Sequence, residues 1–146
     1  MICTFFGHRD VVENIQPILR SVLKDLIEQN GVTIFYVGNQ GKYDFLVRET
    51  LKELKIQYPF ISYSVVLAYM PCEKDFCACD DNIETIYPEE LAGTHPKYAI
   101  AKRNSWMIDK SDFVVTYVSH ISGGAAQFKS LAQRKNKKII DIAEFI

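Results

Sequence analysis

No stretch of this 146-residue chain approaches the roughly 18–20 consecutive apolar residues that cross a bilayer, so a membrane span is not expected. Neither sign of charge is in excess. The 17 Lys and Arg against 18 Asp and Glu leave a net charge of -1. A chain so balanced has nothing broad with which to track the phosphates of a duplex, and duplex DNA or RNA is not the expected partner. The first residues lack a basic leader followed by a long apolar stretch, which points to a cytoplasmic protein. Cysteine is sparse, with Cys3, Cys72, Cys77 and Cys79 only. The last three are spaced C-x4-C-x-C, which lacks the C-x2-C pairs of a zinc ribbon, so no metal is expected. In a reducing cytosol they read as free thiols. No repeat or low-complexity segment is visible, and the length fits one domain over 1–146.

What is present is an alternation of short apolar runs and amphipathic stretches. Residues 2–6, 33–37, 62–69, 113–118 and 138–142 read as buried strands. Apolar residues at helical spacing mark 11–29, 44–55, 97–110 and 125–134. Pro17 moves the start of the first helix to about Gln16, because proline suits a first turn, and Asn30-Gly31 ends it. Phe45, Leu46, Leu51 and Leu54 form the apolar side of the second helix, and Tyr98, Ile100, Ala101, Trp106 and Ile108 that of the third. Residues 71–96 read as one long irregular loop, of a length that is usually functional. Residues 143–146 read as a tail.

Five strands alternating with four helices predict a Rossmann-like three-layer α/β/α fold with a mostly parallel sheet. Right-handed crossovers favour the strand order 3-2-1-4-5. The order reverses between the first and fourth strands, and open sheets of this kind bind ligands outside the strand ends at such a reversal. Two loops meet there: Gly7-His8-Arg9, and the turn 119–124 with Ser119, His120, Ser122, Gly123 and Gly124. Gly123-Gly124 and Ala125 open a helix whose free N–H groups suit a phosphate, although a plain tight turn has the same composition. Arg9 suits bidentate contacts to phosphate or carboxylate, or bridges to Asp10. Gly38-Asn39-Gln40-Gly41 follows the second strand and lines the same edge. Asp44, just beyond, either caps its helix or serves as a catalytic carboxylate. Arg103-Asn104 leans over the crevice from the third helix, or sits on a solvated face. Asp109 and Asp112 fall at the opposite end of the sheet and read as structural.

Together, Cys3-Thr4-Phe5-Phe6-Gly7-His8-Arg9, Tyr36-Val37-Gly38-Asn39-Gln40-Gly41 with Tyr43-Asp44, Arg103-Asn104-Ser105-Trp106-Met107-Ile108-Asp109 and Ser122-Gly123-Gly124-Ala125-Ala126 resemble the SLOG superfamily. This is the Rossmann-like group that includes the DprA/Smf and LOG proteins. More narrowly, the chain is similar to the DUF1273 or YpsA-like proteins of Firmicutes and their phages. The resemblance covers nearly the whole chain and implies a nucleotide or nucleotide-derived ligand, with Arg9 and Arg103 on its phosphate and no further cofactor. LOG enzymes cleave the N-glycosidic bond of nucleoside monophosphates, with a Pro-Gly-Gly-x-Gly-Thr-x-x-Glu signature and an arginine on the preceding helix. Here Gly123-Gly124 match the glycine pair and Arg103 the arginine. Ser122 replaces the proline, Ala126 and Gln127 replace the glycine and threonine, and Ser130 stands where the glutamate would be.

Three functions follow. The first is a module that binds a nucleotide-type small molecule. The second is a glycosidic-bond hydrolase with a displaced carboxylate, in which Asp44 acts on the ribose and His8 moves a proton. The third is a phage or bacterial regulator that meets a protein partner through 71–96, where Phe76 and Tyr87 lie. Related proteins pair through helices, so the resemblance also implies a homodimer.

Overall fold

In each central strand, alternate residues face opposite sides of the sheet, and that alternation builds the layers. Along β1 (Ile2–Gly7), Cys3 and Phe5 enter one core and Phe6 the other. In β2 (Ile34–Val37), Phe35 and Val37 take the first side and Tyr36 the second. Helices α1 (Gln16–Asn30) and α2 (Gly41–Gln57) cover the first side with Leu19, Leu23, Leu26, Val47, Leu51 and Leu54. Helices α3 (Pro96–Lys110) and α4 (Gly124–Arg134) cover the second with Met107, Ile108 and Ala132. The remaining strands are β3 (Ser62–Val66), β4 (Glu84–Ile86), β5 (Phe113–Tyr117) and β6 (Lys138–Asp141). This computed structural model describes residues 1–11, 14–69, 84–118 and 124–145.

The fold is Rossmann-like α/β, with helices on both faces of a six-stranded sheet in the order β4-β3-β2-β1-β5-β6. Every pairing is parallel. The five expected strands are present in the expected relative order, but several expectations need correction. The sheet has a sixth strand, and the stretch 71–96 is not wholly irregular. Glu84–Ile86 adds to the outer side of β3, with Ser64 opposite Glu84 and Val66 opposite Ile86. A 3-10 turn at Glu89–Leu91 follows. A three-residue strand is too short to show a period of two, so its sequence carried no readable signal. The tail, too, is ordered as a 3-10 turn, Ile142–Phe145.

Helix α1 starts at Gln16 with Pro17 in its first turn and ends on Gly31 in the left-handed region. Helix α2 begins at Gly41, three residues ahead of the expected start. Its buried side is Tyr43, Asp44, Val47, Thr50, Leu51 and Leu54, whereas Phe45 is 49% exposed. Tyr98 of α3 is likewise 59% exposed. Neighbouring helix positions differ by about 100°, so a residue next to the buried stripe is turned away from it. Among the described residues, no helix is long and apolar enough to cross a membrane.

Candidate functional site

At the C-terminal edge of the sheet, beyond the end of β1, lies a cavity of about 260 Å³. This is where the strand order reverses, and where open α/β sheets hold ligands. Its walls come from the end of β1 and the loop after it, the β2–α2 turn, one side of α3 and the first turn of α4.

Strand β1 delivers Gly7, His8 and Arg9 to the cavity. Tyr43 fills the place a side chain at Gly7 would need. The His8 amide donates to Tyr117 O at 3.2 Å, and its half-buried ring meets the Tyr117 ring edge-on at 5.9 Å. The Arg9 carbonyl accepts from Lys42 N at 2.9 Å, which ties the loop to the start of α2. Gly41 does not line the cavity. With φ +88° it packs on Arg9, whose Cα would lie 2.8 Å from any added Cβ.

Asp44 caps its helix and also lines the cavity. It is 7% exposed, and its Oδ2 accepts from Gln40 N at 3.0 Å, reaching back to the helix start. Burial pushes its carboxyl above the ordinary aspartate value. The Gln40 amide, then Arg103, Arg48 and Arg9, pull it the other way. Arg48 itself donates to Gly38 O at 3.2 Å.

Arg103 is the other buried charge, 3% exposed. Its Nε donates to Asn104 Oδ1 at 3.0 Å, and its Nη1 to Asn39 Oδ1 at 3.2 Å and Val66 O at 3.3 Å. Burial lowers its pKa and Asp44 opposes that shift. Gly38 separates the pair. A Cβ there would lie 2.6 Å from Asp44 Oδ2 and 3.1 Å from Arg103 Nη1. The absence of a side chain is what lets both pack against the Gly38 backbone.

Gly38, Gln40, Arg103, Asn104, Gly124 and Ala125 all line the cavity, so the loop, α3 and α4 candidates converge as expected. Asn39 is exposed and acts through Arg103 instead. Ser119, His120, Ser122 and Gly123 lie outside the described residues, as do Cys72, Phe76, Cys77 and Cys79. Ser130 is exposed on α4 and away from the cavity wall. At the opposite end of the sheet, Asp112 Oδ2 accepts from Ile2 N at 3.0 Å and Asp109 pairs with Lys135. His95, isolated in sequence, caps α3 by accepting from Lys97 N at 3.1 Å. Among the described residues, no group of His, Cys, Asp and Glu could hold a metal ion.

Sequence reasoning missed the apolar part of the wall: Phe5, Phe6, Ile100, Met107 and Phe128. A signal existed for α3, since Ile100, Arg103, Asn104 and Met107 are spaced i, i+3, i+4, i+7 and share one face. The site thus sets a short apolar wall, including the stacked Phe6 and Phe128 rings at 5.7 Å, beside two arginines and one carboxylate. Such a cavity can hold a small anion bearing a flat, partly apolar group. Comparison with models of known protein families finds no match, and comparison with curated proteins finds none.

Proposed function

We propose that this cavity binds a nucleotide or nucleotide-derived small molecule, the ligand class that the SLOG resemblance implies. The observation that carries the reading is the placement of Arg103. It is a nearly fully buried guanidinium in the wall of a cavity at the reversal of strand order. Arg9 adds a second positive charge, and the first turn of α4 at Gly124 and Ala125 adds the positive end of a helix dipole, which suits phosphate. Phe6 and Phe128 supply apolar surface for a base.

A thermal-shift screen of nucleoside monophosphates, ADP-ribose and NAD, run on the wild type and on Arg9→Ala, tests this. A ligand at 100 times its dissociation constant stabilises by about 2.7 kcal/mol. A ligand-specific rise that shrinks in Arg9→Ala is expected. A flat response across the panel would reject the reading.

One observation favours a hydrolase as the second reading. Asp44 lines the cavity with a carboxyl raised by burial, the direction in which a general acid is tuned. Incubation with nucleoside monophosphates would then release free base, and Asp44→Asn would abolish the release. No release by the wild type would leave the protein a binder.

A further inference from the structure

Among the described residues, Asn104 is the neutral polar side chain of the cavity wall that is buried, at 8% exposure. Its amide can face only one way. Arg103 Nε lies 3.0 Å from Asn104 Oδ1, and a guanidinium carries donors and no acceptor, so the amide oxygen must be the atom turned toward it. Arg103 does not yield, because its Nη1 is held by Asn39 Oδ1 and Val66 O. The amide nitrogen therefore points away from Arg103. Nδ2 donates to no acceptor among the described residues, and it is not among the polar atoms sealed into the core without a partner. Asn104 thus turns a hydrogen-bond donor of fixed direction to the cavity.

The surroundings say what this donor meets. Ile100 and Met107, a turn away on either side, share its face of α3 and line the same wall. Met107 belongs to one apolar cluster with Phe6, against which Phe128 packs. In a cavity of about 260 Å³, a flat ring seated on that apolar wall is also beside Asn104. The other polar groups there are placed differently. Arg9 is exposed and charged, which suits the anion, and half-buried Gln40 has its Nε2 3.5 Å from Asn39 Oδ1. Asp44 is an acceptor held at the start of α2 by Gln40 N.

We propose that Asn104 is a specificity-determining residue, which selects a base bearing a ring carbonyl, such as hypoxanthine or uracil, over its amino counterpart, adenine or cytosine. A ring carbonyl accepts from Nδ2. An exocyclic amino group sets donor against donor and leaves both unmatched, which a buried site punishes. This rests on the reading of the cavity as a nucleotide site, and deepens it by naming the class of base.

The test is calorimetric titration at pH 7 of inosine and adenosine 5′-monophosphates, and of uridine and cytidine 5′-monophosphates, into the wild type and into Asn104→Asp. The members of each pair carry the same phosphate and sugar and differ in carbonyl against amino, so their ratio reports the base alone. In each pair that binds, the wild type is expected to take the carbonyl member about tenfold more tightly. Asn104→Asp keeps an oxygen for Arg103 and removes the donor. Checked for folding by its melting transition, it is expected to lose or reverse the preference, whatever its added charge does to both affinities together. Equal binding within a pair by the wild type, or tighter binding of the amino member, overturns the base inference and leaves the nucleotide site standing. That comparison needs no variant, so it decides even where Asn104→Asp fails to fold. Retention of the full preference by a folded Asn104→Asp also overturns it. Binding of none of the four compounds overturns both readings.

Discussion

Gly38 is the position at which the smallest change has the largest consequence for the site, because Asp44 and Arg103 both pack where its side chain would be. Gly38→Ala is expected to push the pair apart, at a cost of about 1–3 kcal/mol for overpacking, and to weaken ligand binding more than it lowers stability in proportion. Urea denaturation beside a binding titration separates the two effects. Asp44 gives a pH dependence whose sign follows from its burial. Its folded pKa lies above the ordinary 3.8, so between that value and the raised one the native state holds the proton that the unfolded chain releases. Stability therefore falls as pH rises through that window, and the charged carboxylate is a net cost at neutral pH. Asp44→Asn, which keeps the shape and the cap, is expected to melt higher than the wild type at pH 7. The gap should narrow as pH drops toward about 4. Melting curves over pH 4–8 check this, and a gap independent of pH would contradict it.

Among elements, the ends of helices and strands carry the next set of consequences. Gly31 closes α1 at φ +69° with nothing within 4 Å of an added Cβ, so Gly31→Ala tests backbone conformation alone. It is expected to cost about 1 kcal/mol by chemical denaturation. At the end of β6, buried Asp141 accepts from Val118 N, Ala143 N and Lys129 Nζ, joining β5, β6 and α4. Asp141→Ala is expected to cost about 3 kcal/mol, because it strands a half-buried ammonium and two amides. What could be read from the sequence follows the same division. The five longer strands announced themselves as β-branched and aromatic runs, and their order followed from crossover handedness. Glu84–Ile86 did not, being three residues whose place is set by β3 alone. Phe45 looked like core because it is apolar, yet its neighbours Tyr43, Asp44 and Val47 fix which side of α2 faces inward. The polar candidates of the site stood in recognisable loops. Its apolar wall did not, since Phe6 and Phe128 become neighbours only when α4 packs on β1.

For the molecule as a whole, the cavity has no local existence. Phe5, Gly38, Arg103 and Phe128 meet in it from four parts of the chain. A ligand held there binds the folded form and not the unfolded one, so it stabilises all of these elements together. Hydrogen exchange of the β1 and β5 amides is expected to slow with bound ligand by the same factor as global unfolding. The sheet's margins have a separate consequence. A strand at the rim of a sheet exposes unpaired backbone groups that invite another chain to add on. Among the described residues the outermost strands are β4, with three residues, and β6, with four, the latter beginning at Lys138. Such stubs give an incoming strand little to grip. Along these described margins the fold therefore offers little to fibril-like growth.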